Sequence, residues 1–266
     1  MLQFVEGTSG SGKTDTIRHM LMEKAKTGEE KLLLLVPEQN SFENERAMLR
    51  LMGPKKAERI TVTSFTRMVD LVMRQTGGLA GRRLNDSGRS ILMSLALSQV
   101  KEELVLYQKQ SGSRELVELM LSALKEFKMC GIRPEDLKAA ADRLEEGNLR
   151  KKIRETGLVM AAYEALVSQS YIDPLDDLTR LKNVLEATPF FKGYTVMVDA
   201  FAGFTAQELE VLSLVLRQAK ETVISVCVDQ DPAKDNGMGL FSPVKKTVRQ
   251  LRRIAKDYHI PLAPPI

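Results

Sequence analysis

Eight residues near the start of the chain restrict its fold more than any other feature. They match the phosphate-binding pattern G-x-x-x-x-G-K-[ST] at every fixed position, and they are Gly7, Thr8, Ser9, Gly10, Ser11, Gly12, Lys13 and Thr14. An apolar strand pattern precedes them at 2–5, and Ile17, Met20 and Leu21 follow at helical spacing. A strand, a glycine-rich turn and a helix N-terminus form an anion site, because backbone N–H groups and the helix dipole face the phosphate. The context favours a nucleotide site over an ordinary turn before a helix.

The same pattern assigns roles to individual side chains. We expect Lys13 to reach the β- and γ-phosphates of a nucleoside triphosphate, and the Thr14 hydroxyl to hold Mg²⁺. Asp199 ends a second buried strand pattern at 195–198, which is where P-loop proteins hold the Mg²⁺ shell. The alternative for Asp199 is a helix cap or a turn aspartate. Lys13 and Asp199 are therefore the candidate catalytic residues, and Thr14 and Asp199 the candidate metal ligands.

The residue after Asp199 bears on hydrolysis. Many ATP hydrolases carry a glutamate there that polarises the attacking water, but this chain has Ala200. We therefore expect hydrolysis to be slow or to use another base. Glu208 is a weak substitute, and a glutamate on the surface of a helix is the simpler interpretation of it.

Strand and helix patterns alternate at both ends of the chain. Continuous apolar runs at 31–36, 60–63, 195–199 and 222–228 read as buried strands, each followed by a helical pattern, apart from the last, which a flexible segment at 235–239 separates from its helix. This alternation predicts an α/β fold, a P-loop NTPase with a doubly wound parallel sheet.

The middle of the chain differs. From about 87 to 187 only helical faces recur, which predicts an all-helical insertion. The predicted division is an ATP-binding α/β domain over residues 1–85 and 190–266, and a helical insertion over residues 86–189. The tail at 260–265 has no periodicity, and we expect the strand–helix series to continue beyond it.

Composition excludes some classes and leaves others open. The 39 Lys+Arg and 35 Asp+Glu give a formal charge of only +4, which allows nucleic-acid binding without requiring it. Cys130 and Cys227 form no C-x-x-C pair, so a disulfide or a cysteine zinc site is not expected. No apolar run reaches ~18 residues, and the chain begins in a strand, so neither a membrane span nor a signal peptide is expected. A cytoplasmic location fits these features.

Two segments are candidate nucleic-acid contacts. Thr63, Ser64 and Phe65 end the third strand pattern with two hydroxyls and a ring, which can bind a phosphate backbone and stack on a base. A core phenylalanine at a satisfied strand end is the equal alternative. The last helix pattern, 244–258, carries six Lys and Arg residues, for which a solvated basic face is the default interpretation.

An ordered set of motifs resembles a known family. Val36-Pro37-Glu38-Gln39 with Phe42 and Glu45 follows the phosphate loop, then come Thr63-Ser64-Phe65 and Asp199-Ala200-Phe201 with Phe204, Thr205 and Glu208. Together they resemble the N-terminal region of AddB, one of the two subunits of bacterial AddAB helicase/nuclease complexes, which is related to superfamily 1 helicases. The similarity spans nearly the whole chain, and the V-P-E-Q and D-x-F-x-x-F-T-x-x-E stretches are more specific than the loop.

The resemblance implies a function. It implies ATP and Mg²⁺ binding, DNA end processing during double-strand-break repair, and a heterodimer with an AddA-type helicase subunit. The α/β part would be the first motor domain (1A-like) and the helical block its insertion (1B-like), with Thr63, Ser64 and Phe65 as the DNA-contacting segment. The Ala200 departure fits a degenerate motor. The family's nuclease and its iron–sulfur cluster belong to a C-terminal part that this chain does not include, so no nuclease activity is expected.

Two other classes stay open. One is a P-loop small-molecule kinase with the helical block as a lid, against which no clear Arg-x-x-Arg lid sequence is found. The other is a regulatory nucleotide switch that binds a protein partner and no DNA. DNA-stimulated ATPase activity would separate these classes.

Overall fold

The computed structural model describes residues 1–78, 80–229 and 239–266. Its strands, in chain order, are β1 (Leu2–Gly7), β2 (Leu32–Leu35), β3 (Ile60–Thr63), β4 (Arg82–Arg83), β5 (Tyr171–Ile172), β6 (Thr195–Val198) and β7 (Glu221–Cys227). Its helices are α1 (Lys13–Lys26), α2 (Ser41–Met52), α3 (Pro54–Ala57), α4 (Phe65–Thr76), α5 (Asp86–Gln99), α6 (Arg114–Met129), α7 (Pro134–Asp142), α8 (Asn148–Ser170), α9 (Asp177–Ala187), α10 (Ala206–Gln218) and α11 (Ser242–Asp257). The predicted flexible segment at 235–239 lies outside the described residues, apart from Gly239.

Residue contacts divide the chain into two compact units. One contains residues 1–77 and 180–266, and the other contains residues 78–179. None of the helices in the described ranges is long and apolar enough to cross a membrane.

The first unit is built on a five-stranded sheet in which every pair of neighbouring strands is parallel. The strand order is β1-β7-β6-β2-β3, so β7 lies between β1 and β6. All four residues of β2 are buried, as the continuous apolar run predicts for a central strand of a parallel sheet. The predicted α/β fold with a parallel sheet and helices is confirmed.

Helices α1 and α2 cover part of this sheet. Ile17 and Leu21 of α1 and Met48 of α2 belong to one buried apolar cluster with Leu34 of β2 and Val62 of β3. Alternate strand residues point to opposite faces, so this cluster takes one residue in two from each strand. Helices α10 and α11 contact β7, and α4 contacts β3.

The tail also belongs to the sheet edge. Backbone hydrogen bonds of 2.8–2.9 Å join Leu2, Phe4 and Glu6 of β1 to Pro261, Ala263 and Ile266. The sequence shows no periodicity there because these bonds use backbone groups only. The pairing satisfies the outer edge of β1, which would otherwise present free N–H and C=O groups.

The second unit is mostly helical. Its core is formed by α5, α6 and α8, with Met93, Leu97, Met120, Leu124 and Tyr163 among its buried members. The Tyr163 hydroxyl donates to Asp173 Oδ2 at 2.8 Å. The short strands β4 and β5 pair in parallel, so β5 departs from the predicted absence of strands. Two residues are too few for a period-2 pattern to reveal.

Candidate nucleotide-binding site

The loop at 7–14 connects β1 to α1 as the pattern predicts. Gly10 and Gly12 have φ values of 78° and 85°, in the left-handed region that glycine reaches without a steric cost. At Gly7 a Cβ atom would lie 2.3 Å from Ser11 Oγ, so the loop folds back closely on its own first residue. A side chain at any of these three positions would force the loop to open.

The loop presents donors at the start of α1. The backbone N–H groups of Gly10, Gly12, Lys13 and Thr14 donate to no other backbone group in the described part of the chain. These are the unsatisfied donors of a helix N-terminus, and they suit an anion. Lys13 Nζ donates to the Thr8 carbonyl oxygen at 2.6 Å, which holds the ammonium group over the loop.

Asp199 lies at the same edge of the sheet as this loop, because all five strands are parallel and both segments follow strand C-termini. One strand, β7, separates β1 from β6, so the two strand ends are roughly 10 Å apart. Asp199 is only 2% exposed. In the described ranges no group of three or more His, Cys, Asp and Glu side chains could hold a metal ion. A cation at this edge would therefore need oxygens from Asp199, Thr14, phosphates and water.

Sequence reasoning missed a residue that holds Asp199. Ser225 lies in β7 at the register position beside Val5 of β1, and its hydroxyl donates to Asp199 Oδ1. The remaining carboxylate oxygen has no partner among the described residues. The available signal was a serine in the middle of the apolar run 223–226, where a buried hydroxyl needs a partner.

Ala200 has φ of 65°, so the backbone turns sharply after Asp199 in a conformation that non-glycine residues rarely adopt. Glu208, the weak substitute for the missing acid, has a local role. Its Oε2 accepts from the Thr205 backbone N at 2.8 Å, and the Thr205 hydroxyl accepts from the Glu208 backbone N at 3.2 Å. This reciprocal pair is a capping box that starts α10. The structure agrees with the simpler interpretation of Glu208 as a structural helix residue.

The segment predicted to contact DNA lies at the far end of the same sheet edge. β3 is four strand positions from β1, which corresponds to roughly 19 Å. Ser64 caps α4 by accepting from the Arg67 backbone N at 3.2 Å, and its hydroxyl donates to Glu38. The Thr63 hydroxyl donates to the Ser64 carbonyl oxygen at 3.1 Å. Both hydroxyls are therefore used inside the fold.

Phe65 is 5% exposed. Its ring meets Phe201 at a centroid distance of 5.7 Å and Phe204 at 6.2 Å, both edge-on. Phe201 and Phe204 are themselves 4.9 Å apart. This aromatic cluster leaves Phe65 little free face for a base, which favours the core alternative. Its DNA role stays a prediction.

The basic helix pattern at 244–258 forms α11, and two of its cations are used internally. Lys245, which is 7% exposed, lies 2.6 Å from Asp229 Oδ1, and Arg252 lies 3.2 Å from Glu6 Oε1. These ion pairs attach α11 to the ends of β7 and β1. They leave a smaller basic face than the sequence indicates.

Comparison with known proteins agrees with the motifs. The family model described as "ADDB, N-terminal" matches residues 4–266. The B subunit of the ATP-dependent helicase/deoxyribonuclease of Thermoanaerobacter sp. (strain X514) is 32% identical over 266 residues. The corresponding subunits from Clostridium acetobutylicum and Acetivibrio thermocellus, which carry the same name, are each 30% identical. In all three cases the alignment covers 100% of this chain and 23% of the relative, so the chain spans less than a quarter of their length.

Proposed function

Because the chain belongs to the AddB N-terminal family, we propose that it is the ATP-binding, helicase-like portion of a DNA double-strand-break repair helicase/nuclease subunit. The observation that carries the proposal is the complete phosphate-loop pattern at the end of β1, with the buried Asp199 at the same sheet edge. The relatives are named as subunits of an ATP-dependent helicase/deoxyribonuclease, which supports ATP as the nucleotide.

The residues present fit a nucleotide triphosphate with Mg²⁺. The free N–H groups of the loop and the Lys13 ammonium would bind the β- and γ-phosphates, and Lys13 would exchange its bond to the Thr8 carbonyl for one to phosphate. The Thr14 hydroxyl and the unpaired oxygen of Asp199 would hold Mg²⁺, with Ser225 fixing the orientation of the carboxylate. The cation would neutralise charge on the phosphate oxygens.

The proposal is that this portion is a degenerate motor. Ala200 supplies no carboxylate to polarise water, and Glu208 is engaged in the capping box. Nothing in this constellation activates a nucleophile, so the residues bind ATP better than they hydrolyse it. The site thus acts mainly by binding nucleotide.

The remaining assignments follow from family membership. The first unit would be the 1A-like motor domain, over residues 1–85 and 190–266, and the helical block at 86–189 its 1B-like insertion. The relatives are named as one subunit of a larger enzyme, which supports an AddA-type partner, and the word "deoxyribonuclease" in that name supports a DNA substrate. Single-stranded DNA would lie near Thr63, Ser64 and Phe65, although burial of these side chains favours the core alternative for Phe65.

The test is nucleotide binding by a Lys13→Ala variant, measured by calorimetry with ATP–Mg²⁺. Binding heat should disappear while the melting temperature stays nearly unchanged, because the Lys13 ammonium makes one hydrogen bond, worth about 1 kcal/mol. Lys26→Ala is the matched control, a lysine on the same helix that pairs with Glu23 at 2.8 Å. Unchanged ATP affinity in Lys13→Ala would show that the site assignment is wrong.

A second measurement separates the other function classes. DNA-stimulated ATPase activity of the full-length protein with its partner supports the helicase proposal. Phosphoryl transfer to a small molecule would support a kinase instead. Nucleotide binding with neither activity would support a regulatory switch.

A further inference from the structure

The helical unit contains a cavity of about 700 Å³ that the proposed nucleotide function does not use. It is lined by α7, α8 and the loop after α5, all within residues 78–179. Val105, Leu158 and Ala161 contribute an apolar floor. The volume falls in the range of about 300–1,000 Å³ that is typical of ligand pockets.

The walls of this cavity are fixed by internal contacts. Glu155, 4% exposed, accepts hydrogen bonds of 3.0–3.1 Å from the backbone N atoms of Val105, Leu106 and Tyr107, which ties the loop to α8. At Gly157 an added Cβ would lie 3.4 Å from the Pro134 carbonyl oxygen, so α7 approaches α8 closely. A preformed cavity loses little conformational entropy when it binds a ligand.

The rim of the cavity has unpaired positive charge. Lys138, Lys151 and Arg154 are exposed, and none of them has an ion-pair partner in the described ranges. Arg150 is paired with Glu146 at 2.8 Å. The Glu155 carboxylate is saturated by its backbone donors, so it does not neutralise these cations. The rim therefore suits an acidic ligand.

The lining distinguishes a peptide from a nucleic acid. It contains no aromatic side chain among the described residues, so a nucleic-acid base would find no stacking surface. Glu103 and Glu135 also stand at the cavity and would repel a phosphate backbone. We propose that this cavity binds an acidic peptide segment of a partner protein, with an aliphatic side chain on the apolar floor and carboxylates paired to Lys138, Lys151 and Arg154.

The test measures fluorescence anisotropy of a short fluorescein-labelled peptide in which glutamates flank a pair of leucines. The full chain should bind it with Kd below about 1 mM, and a Lys151→Glu/Arg154→Glu variant should bind about tenfold more weakly or worse, since two rim charges are reversed. The matched control is Lys109→Glu/Lys125→Glu, which has the same charge change on exposed residues of the same unit outside the cavity.

A second variant tests the floor. Ala161→Trp places a large ring in the cavity from an exposed helix position and should remove peptide binding. Melting curves identify any variant that fails to fold, and the charge variants then decide alone. The proposal is overturned if the wild-type chain does not bind the peptide, if both double variants bind it equally, or if the cavity variants weaken oligothymidylate binding and leave peptide binding unchanged.

Discussion

Replacing Phe65 by alanine removes a ring that two other rings surround. Phe65 is 5% exposed, and its contacts to Phe201 and Phe204 have interplanar angles of 73° and 82°. Edge-on aromatic pairs contribute ~0.5–1.5 kcal/mol each beyond the area they bury. Because the two partner rings already touch each other, they cannot both move to fill the space that the variant leaves.

These contacts set the expected magnitude. Truncation of a core phenylalanine to alanine costs ~3–5 kcal/mol, and two ring contacts place Phe65 near the middle of that range, about 4 kcal/mol. A domain of this size loses ~2–4 °C of melting temperature per kcal/mol. The α/β unit should therefore melt ~8–16 °C lower in Phe65→Ala.

Circular dichroism melts, with single-strand binding by oligothymidylate anisotropy well below the variant's melting temperature, measure both consequences. Phe42→Ala is the matched control: the same substitution in the same unit, at a side chain 68% exposed, should change stability by no more than about 0.5 kcal/mol. The core reasoning is refuted if Phe65→Ala melts within ~2 °C of the wild type and loses affinity for the single strand. That result would establish Phe65 as a DNA contact.

Three further outcomes are expected. The isolated chain should turn over ATP well below ~1 per second, since Ala200 supplies no acid and a transition-state arginine from elsewhere is worth ~10³–10⁵ in rate; turnover in the ordinary enzyme range in a phosphate-release assay would contradict this. Single-stranded DNA should bind weakly, with log affinity falling against log salt by ~0.7 per phosphate contacted, and a flat salt titration would be inconsistent with backbone contacts. The hydrogen bond from Lys220 holds the pKa of Glu29 below its usual 4.5, so the ionised carboxylate stabilises the fold above pH 4.5 and this contribution is lost as pH falls through the folded-state pKa. Glu29→Gln should then lower stability by ~0.2–1 kcal/mol at pH 7 and have no effect at pH 3 by chemical denaturation, whereas an equal loss at both pH values would exclude the charge as the cause.

The amino-acid sequence by itself determined the elements whose signal is local. The loop at 7–14 is specified by its own glycines, because left-handed backbone at Gly10 and Gly12 needs no neighbour to explain it. The strand β2 is specified by four consecutive leucines, which fit only a strand with both faces covered. The position of Asp199 at a strand end follows from the same kind of pattern.

Only the tertiary structure decided which side chains meet. The strand order places β7 between β1 and β6, and that order alone brings Ser225 to Asp199. Likewise, a strand-end phenylalanine has the same local sequence whether it faces solvent or a core, so the burial of Phe65 depended on the distant Phe201 and Phe204. Strand and helix periodicity records which face of an element is apolar, but not which element covers it. Burial, hydrogen-bond partners and the cavity between α7 and α8 depend on that second choice, which contacts distant in sequence make.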